Sequence, residues 1–362
     1  MQIRNVNLTN FRNIKASQLT LGAGLNIFFG DNAQGKTNFL ESLYFCATAR
    51  SHRSHRDREL VMLGEKFCNV SLNVFDGYFE NTISFQIEKE FKKMYLNGLP
   101  IRKLGELFGN LMVVIFSPED LGLVKAGPGI RRRFMDMELC QLYPAYYHNL
   151  RMYYKVMKQR NNLLRDIAAN PKLAESLDVW DEQLVEYGCA LSLARNKFVE
   201  ELDEIAKTNQ REITGGKEEL EISYKQNVEN ELFLERLLKG RAYDILRKST
   251  SVGPHKDDME FRINNKCARL YASQGQQRTA ALSIKLAQID LIESKRNVSP
   301  VLLLDDLLSE LDSSRQKYLL EKTHGLQSII TLTGAEGAFE SYINHTDAKI
   351  FEVRNGEFHE KQ

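Results

Sequence analysis

The 362-residue sequence lacks the features that mark membrane, secreted and zinc-binding proteins. No apolar run approaches the roughly 18 residues of a membrane-spanning helix, and the segment Met1–Asn5 lacks the apolar stretch of a signal peptide. The five cysteines are odd in number, lie far apart and form no C-x-x-C pair. This pattern argues against a disulfide framework and a zinc site. We therefore expect a cytoplasmic protein with reduced cysteines and no membrane partner.

The sequence also lacks a strong net charge, internal repeats and low-complexity tracts. Its formal net charge is +1, so the overall balance does not indicate a nucleic-acid-binding protein. Positive charge is nevertheless concentrated in Arg50–Arg58 and Arg131–Arg133. Each segment is equally compatible with a DNA contact and with an ordinary solvated surface. The length allows two domains, or one domain with an insertion, at about 150 residues per domain.

One stretch carries a specific chemical signal. The residues from Gly30 to Thr37 match G-x-x-x-x-G-K-[ST], the phosphate-binding P-loop. Leu25–Phe29 before it is typical of a strand, and apolar residues recur at helical spacing after it. In a strand, loop and helix of this kind, backbone N–H groups and the positive helix end face an anion. The predicted nucleotide-binding residues here are Gly30, Asp31, Asn32, Ala33, Gln34, Gly35, Lys36, Thr37 and Asn38.

Two P-loop side chains have expected roles. Lys36 would reach the β and γ phosphates, and Thr37 would offer its hydroxyl to Mg²⁺. A pair of acidic residues follows the apolar run Val301–Leu304, which is typical of a buried parallel strand. Asp305 at the end of this strand is a candidate Mg²⁺ residue, and Asp306 is a candidate general base for the attacking water. A core strand that ends in Asp is common, so this pattern gains its specificity from the P-loop.

The rest of the chain changes character twice. Strands predicted around Asp76-Gly77 and before Asn97-Gly98 indicate an antiparallel β region beside the P-loop. Long helical patterns then predict an inserted lobe with a short coiled-coil-like arm, over Ile130–Leu142, Pro144–Ala169 and Leu184–Asn209. Mixed α/β structure returns afterwards, with strands expected at Glu219–Tyr224, Met259–Ile263, Cys267–Tyr271, Ser328–Leu332 and Ala348–Val353.

The order of the later motifs resembles the ABC-type ATPase head. A Ser-x-Gly-Gln segment beginning at Ser273 opens a helix, the strand ending in Asp305 follows, and Ser309–Asp312 comes next. The resemblance implies that the signature helix of one subunit faces the γ phosphate bound by another. Ser273, Gly275, Gln276 and Asp312 would then join the nucleotide site across a dimer. The competing interpretation of Ser273 is a plain helix cap.

Within that class the chain is similar to the RecF family, bacterial recombination mediators related to the SMC heads. The short helical arm suits this family and is too short for a full SMC protein. The matching segments follow the order of the family over nearly the whole chain: Leu8–Asn13, the P-loop, Ala49–Arg53, Phe116–Leu121, Arg131–Asp136, Gly253–Asp258 and Ser273–Arg278.

The resemblance implies an α/β fold and an ATP-gated DNA clamp. It implies ATP and Mg²⁺ as cofactors, an ATP-dependent homodimer, and a slow DNA-stimulated ATPase that binds double-stranded DNA near gaps and single-strand/double-strand junctions. RecR, RecO and RecA are the implied partners in gap repair, replication restart and the SOS response. Arg12 is expected close to the nucleotide. The implied division is an N-terminal half of the head at 1–116, a helical lobe at 117–240 and a C-terminal half of the head at 241–362.

Some positions depart from the ABC pattern. Asp306 stands where many ABC ATPases carry Glu, which predicts slow turnover, and Thr333 with Gly334 stands where transporters carry a switch histidine. Glu119 and Asp120 are weak candidates for a glutamine-loop equivalent. The rival interpretations are the ATPase subunit of a transporter, another SMC-like ATPase, a small-molecule kinase and a scaffold with a structural nucleotide. A kinase would not explain the block from Ser273 to Asp312.

Overall fold

The structure is a computed structural model that describes residues 1–54, 56–88, 91–167, 170–334 and 348–361. His55 of the predicted basic segment and residues 168–169 of a predicted helix lie outside the described residues. The chain divides into two compact units, the first formed by Met1–Asp120 with Lys285–Gln362 and the second by Leu121–Ile284. Within the described ranges, no helix combines the length and the apolar character needed to cross a membrane.

The chain contains fifteen strands and nine α-helices within its described residues. The strands are β1 Gln2–Phe11, β2 Ile14–Thr20, β3 Leu25–Gly30, β4 Phe67–Phe75, β5 Glu80–Glu88, β6 Lys92–Leu96, β7 Leu99–Pro100, β8 Val113–Phe116, β9 Leu220–Lys225, β10 Asp258–Ile263, β11 Lys266–Cys267, β12 Val301–Asp305, β13 Ser328–Thr333, β14 Lys349–Arg354 and β15 Glu357–Lys361. The helices are α1 Lys36–Thr48, α2 Leu121–Lys125, α3 Pro128–Leu142, α4 Pro144–Ile167, α5 Leu177–Thr214, α6 Phe233–Arg247, α7 Ala268–Tyr271, α8 Gln274–Arg296 and α9 Ser313–Lys322.

The first unit is organised around a mostly parallel sheet in the order β15-β14-β3-β13-β12-β8. Strands β8 and β12 consist entirely of buried residues, as expected for parallel strands covered on both faces. The register pairs Thr331 with Asp305 and Thr333 with Gly30. The carboxyl ends of β3, β12 and β13 therefore meet at one edge, which is where open α/β sheets bind ligands.

A second, antiparallel sheet in the order β2-β1-β4-β5-β6-β7 belongs to the same unit. Burial alternates along β4 and β5, because one face packs on the core and the other does not. The predicted hairpin at Asn97-Gly98 is confirmed, with φ of 52° and 76° at its two turn residues. Phe39 of α1 lies 4.5 Å from Phe28 of β3 between ring centroids. One hydrophobic core thus joins α1 to both sheets.

The second unit is the predicted helical lobe together with a small sheet in the order β11-β10-β9. The long helices α4 and α5 run antiparallel, and the pairs Tyr153–Gly188 and Arg160–Asp181 lie at their interface. Strand β10 pairs with β9 over its whole length. This pairing holds residues 241–284 in the second unit, whereas the sequence assigned them to the head. The functional division at 116 and 240 stays a prediction.

Two details of the predicted strands are wrong. Only Lys266–Cys267 of the expected strand Cys267–Tyr271 pairs with β10, and Ala268–Tyr271 is helical. Gln277 Nε2 donates to the carbonyls of Ala268 and Ala272, at 3.2 Å each, and so stabilises that helical turn. The hairpin partner of β14, the strand β15, was not expected from the sequence.

Buried ion pairs hold the second unit together. Arg160 is fully buried and donates to Asp181 Oδ1 at 2.6 Å and to Asp244 Oδ2 at 2.7 Å. Arg131 is only 3% exposed and forms a bidentate pair with Asp258. His255 of the family motif accepts from Tyr153 Oη at Nδ1 (2.7 Å) and donates from Nε2 to Thr250 O (3.0 Å). Burial lowers the pKa of His255 to about 4, so it is a neutral structural histidine.

Replacing Arg160 by Ala should destabilise the second unit by about 3 kcal/mol, because two buried carboxylates lose the cation between them. Asp181 keeps its pair with Arg241 and Asp244 keeps its hydrogen bonds from Ser251, so neither is left without a donor. The expected result is a large fall in the urea midpoint of the helical lobe, measured by circular dichroism. Lys239→Ala is the matched control, since this lysine is 71% exposed and pairs with an exposed Glu235 on its own helix. Equal midpoints for the two variants would contradict the assigned role of the buried pairs.

Candidate nucleotide-binding site

A cavity of about 350 Å³ opens at the carboxyl edge of the parallel sheet. The P-loop forms one wall, and Asp305 and Asp306 at the end of β12 form another. The remaining lining comes from Asn13, Asn38, Arg53, Thr331 and Thr333. The sequence-predicted P-loop and acidic residues are therefore brought together in one place.

The P-loop backbone is unusual at its two glycines. Gly30 has φ of 149°, and a Cβ there would lie 2.5 Å from Val353 O. Gly35 has φ of 120° directly before α1 begins at Lys36. A side chain at either position would be strained. The loop thereby delivers the N-terminus of α1 to the cavity, where free helix N–H groups favour an anion.

Lys36 is held inside the loop. Its Nζ donates to Gly30 O and Asp31 O at 2.7 Å each, which leaves one of three ammonium donors for a phosphate oxygen. Burial lowers the pKa of Lys36, while Asp306, Asp305 and Asp31 act in the opposite direction. The side chain is thus positioned in advance at the place where the motif requires a cation.

Thr37 and Asp305 meet across the cavity. Thr37 Oγ1 donates to Asp305 Oδ1 at 2.9 Å, and Thr331 Oγ1 donates to the same oxygen at 2.9 Å. Burial raises the pKa of Asp305, and the two hydroxyl hydrogen bonds lower it in part. A hydroxyl and a carboxylate oxygen suit Mg²⁺, which takes few protein ligands and relies on water and phosphate oxygens for the rest. The donor set therefore fits the expected metal.

Asp306 has both carboxylate oxygens tied to one residue. Thr333 donates from its backbone N to Oδ1 at 3.1 Å and from Oγ1 to Oδ2 at 2.7 Å. Thr333 Oγ1 also lies 3.1 Å from Asn32 Oδ1 in the P-loop. Asp306 itself has φ of 51°, an uncommon value for a non-glycine residue. Sequence reasoning treated Thr333 only as a departure, although its place at the end of β13 could have suggested this contact.

The turn between β14 and β15 braces the P-loop and was also missed. Asn355 N donates to Gln34 Oε1 at 2.6 Å, and Gly356 N donates to Gln34 O at 2.8 Å. A Cβ on Gly356 would lie 2.4 Å from Asn13 O. Gln34 therefore has a structural role in the loop, whatever it contacts in a nucleotide complex.

Arg12 lies beside the cavity rather than in its lining. Its guanidinium donates to Glu41 Oε2 and Oε1 at 2.9 and 2.7 Å and to Glu59 O at 2.7 Å. Burial raises the pKa of Glu41, but hydrogen bonds from Arg12 and Ser51 outweigh that effect and lower it. Arg53 does line the cavity and donates to Asn38 Oδ1 at 3.0 Å. A role of Arg12 at the nucleotide stays a prediction.

The signature segment forms a capping box. Gln276 N donates to Ser273 Oγ at 3.3 Å, and Ser273 N donates to Gln276 Oε1 at 3.0 Å. Gly275 beside them is uncrowded. Asp312 caps α9 by accepting from Arg315 N at 2.9 Å, and such hydrogen bonds lower its pKa. Helix capping is thus an observed role for Ser273 and Asp312, and a contact across a dimer stays a prediction.

The two weak candidates for a glutamine loop differ in their surroundings. Asp120 accepts from Ser117 N at 2.8 Å and lies 3.7 Å from Lys285 Nζ, so it stabilises the chain after β8. Glu119 lines a second cavity of about 830 Å³ that shares Asn13, Asn38 and Arg53 with the first. Of the two, only Glu119 lines either of these cavities.

Comparison with known proteins identifies the same family throughout the chain. The model of the RecF/RecN/SMC N terminal domain matches residues 2–357. The "DNA replication and repair protein RecF" of Lachnospira eligens is 46% identical over 359 residues and 98% of both chains. That of Lachnoclostridium phytofermentans is 44% identical over 357 residues, covering 98% of this chain and 99% of the relative.

Solved structures agree with this relationship. One described as "Structure of the recombination mediator protein RecF-ATP in RecFOR pathway" has 35% identity and a TM-score of 0.93, covering 99% of this chain and 97% of its own. An Smc head domain from Pyrococcus furiosus, bound to the C-terminal domain of ScpA, has 14% identity and a TM-score of 0.57 over 99% of this chain. The latter shows the fold alone. The expected ABC-type α/β head is confirmed.

Replacing Asp305 by Asn should leave the stability of the nucleotide-free protein intact while it weakens metal binding. Because burial raises the folded pKa of Asp305, its stabilising contribution is complete below the unfolded value and is lost as pH rises through the folded value. At pH 7 the variant keeps an acceptor for both hydroxyls without a buried charge. We expect a melting temperature at or above that of the wild type without nucleotide, with the difference shrinking toward pH 4.

The same variant should gain little thermal stability from ATP with Mg²⁺, whereas the wild type should gain substantially. The surface variant Glu321→Gln is the control and should behave as the wild type in both respects. A lower melting temperature of Asp305→Asn at pH 7 without nucleotide would contradict the account.

Replacing Thr333 by Val should release one oxygen of Asp306 while leaving the backbone contact in place. If Asp306 orients water, kcat for ATP hydrolysis should fall about tenfold or more, in line with losing a hydrogen bond to a charged group. KM should change little, and Thr333→Ser should retain activity. Wild-type turnover in Thr333→Val would argue against a positioning role for this hydroxyl.

Proposed function

Because this chain belongs to the RecF family, we propose that it is an ATP-dependent DNA-binding protein of recombinational repair. ATP with Mg²⁺ drives a homodimer onto double-stranded DNA near single-strand gaps. Together with RecO and RecR, the dimer promotes RecA loading, which supports gap repair, replication restart and the SOS response in the cytoplasm. Slow, DNA-stimulated hydrolysis of ATP then releases the dimer from DNA. The ATPase reaction therefore serves to switch DNA binding on and off, and not to make a chemical product.

One observation carries the nucleotide part of the proposal. Thr37 Oγ1 lies 2.9 Å from Asp305 Oδ1, although the two residues are far apart in the chain. A P-loop hydroxyl and a strand-end carboxylate in contact form the metal-side half of a P-loop ATPase site. A Mg²⁺ ion at this place would supply positive charge to offset that of the phosphates. Thr37 and Asp305 would hold it, and Lys36 would contact the β and γ phosphates.

The hydrolytic step depends on Asp306. Its carboxylate accepts two hydrogen bonds from Thr333, which fixes the direction in which it can hold a water. General-base action requires such an oriented acceptor at the reacting water. An Asp is one methylene shorter than the Glu of many ABC ATPases, so the carboxylate of Asp306 lies farther from the attacking water than a Glu carboxylate would. This supports slow turnover and a long-lived ATP state.

The dimer part of the proposal involves the signature segment. Ser273, Gly275 and Gln276 stand at the N-terminus of α8, and a helix N-terminus offers N–H donors to an anion. The uncrowded Gly275 permits close approach of a phosphate. A second subunit would therefore complete the site through its Ser273 and Asp312, and the bound ATP would contact both subunits.

The partners come from the family relationship. A solved relative is described as a recombination mediator in the RecFOR pathway, which supports RecO and RecR as partners of this chain. The alternative is an ATPase subunit of a transporter or another SMC-like ATPase. Thr333, where transporters carry a switch histidine, favours the repair role over a transporter.

The experiment is sedimentation of the wild type and Lys36→Arg, with and without ATP and Mg²⁺ and with a gapped duplex. We expect ATP to convert a monomer into a dimer that retains the duplex. Lys36→Arg should bind ATP but hydrolyse it poorly, so it should remain in the DNA-bound dimer after the wild type has dissociated. Lys36→Ala, which removes the phosphate contact, should stay a monomer.

A wild-type protein that stays a monomer and ignores the duplex under every condition would contradict the proposal. A dimer and a DNA complex that form equally without nucleotide, and equally in Lys36→Ala, would favour a scaffold with a structural site.

A further inference from the structure

Helix α4 carries a row of cations on the face opposite its buried side. Arg151, Lys155, Lys158 and Arg165 recur at intervals of three, four and seven residues and are all exposed. We call these four residues the α4 basic stripe. The buried positions of the same helix pack toward α5 and the core of the second unit: Tyr146, Tyr153, Val156, Arg160, Leu164 and Ile167.

The charge of the stripe is not compensated. Asp166, next to Arg165 near the end of the helix, is the one acid of α4, and no Asp or Glu stands between Pro144 and Arg165. Within the described part of the chain, Arg151, Lys155 and Lys158 make no ion pair or hydrogen bond, whereas exposed cations of other helices, such as Lys239 and Lys317, pair with an acid four residues away. Like charges at this spacing destabilise a helix. Folding therefore does not explain the stripe.

The neighbouring helix has the opposite sign. The exposed acids of α5 are Asp178, Glu182, Glu186, Glu200, Glu204 and Glu212, and they outnumber its exposed cations Lys197 and Arg211. The lobe thus presents a basic ridge on α4 and an acidic ridge on α5. A polyanion would be attracted to the α4 ridge and repelled by the α5 ridge. The charge pattern therefore favours a complex in which α4 faces the polyanion.

The other basic segments are less available to a polyanion. Arg131 is buried in its pair with Asp258, and Arg132 Nη1 donates to Asp257 O at 2.7 Å. Arg53 lines the nucleotide cavity. The segments that the sequence suggested for DNA contact are therefore partly used inside the protein, whereas Arg151, Lys155 and Lys158 of the α4 basic stripe are exposed.

We propose that the α4 basic stripe binds the phosphate backbone of double-stranded DNA; the inference rests on the proposed function. From Arg151 to Arg165 the stripe is about 21 Å long, which faces about six phosphates of one strand. Arg and Lys supply the charge, and such contacts position a protein without reading sequence. Sequence-independent binding is what a clamp at gaps requires.

The test compares the full-length triple variant Arg151→Gln, Lys155→Gln, Lys158→Gln with the wild type. Duplex binding in ATP and Mg²⁺ is measured by fluorescence anisotropy from low to high salt. We expect affinity at 0.1 M salt to fall at least about tenfold, and the slope of log affinity against log salt to shrink by about three. ATP binding and ATP-dependent sedimentation should be unchanged.

The control is Arg236→Gln, Lys239→Gln, Arg247→Gln on α6, which removes the same charge from exposed positions of the same unit. It should keep the wild-type salt slope. The α4 variant should melt at the wild-type temperature or higher, because like-charge repulsion is relieved, so a loss of binding cannot be attributed to unfolding.

The outcomes separate the two proposals. If the wild type binds the duplex and the α4 variant retains its affinity and salt slope, the stripe is not the DNA surface, although the proposed function stands. An equal loss in the α6 control would also overturn the inference, because it would reduce the effect to net charge. A wild type that binds no duplex would remove both.

Discussion

The contact between Thr37 and Asp305 is the constraint on which the first unit depends. Thr37 lies in the first turn of α1, and Asp305 is the last residue of β12. The 2.9 Å hydrogen bond between their side chains therefore requires the P-loop strand β3 and β12 to end at the same edge. Strand β13 lies between them and supplies Thr331 to the same carboxylate oxygen. The parallel register, rather than any one loop, sets the distance between phosphate and metal contacts.

Contacts from the surrounding residues hold the P-loop and Asp306 in position at this edge. Gly30 and Gly356 allow backbone approaches that a side chain would block, and the β14–β15 turn holds Gln34 from behind the loop. Thr333 ties Asp306 to the same edge, in contact with Asn32. Asp305 is kept ready for a cation at some cost in stability, since burial raises its pKa. Storing such strain at a ligand site is a common property of functional sites.

The sequence predicted the parts whose signals are local. The P-loop, the strand ending in Asp305 and the Asn97-Gly98 hairpin each follow from a few adjacent residues and were found where expected. Long-range contacts carry no such signal. Nothing adjacent to Thr333 or Gly356 reveals their partners, because β-sheet order decides them, and Ala268–Tyr271 became helical through Gln277 in a later helix. The basic segments were equally compatible with DNA contact and with a solvated surface, and the pairing of Arg131 with Asp258 from a distant strand could not be read from their sequence.

We propose above all that one nucleotide is held by Lys36 of one subunit and Ser273 of another. Mixing Lys36→Ala with Ser273→Arg tests it most directly, with ATPase activity measured in the presence of gapped duplex. Each variant alone should be inactive, and the mixture should recover activity, because every mixed dimer contains one intact P-loop facing one intact signature. A mixture as inactive as its components, or an active Ser273→Arg variant, would contradict the account.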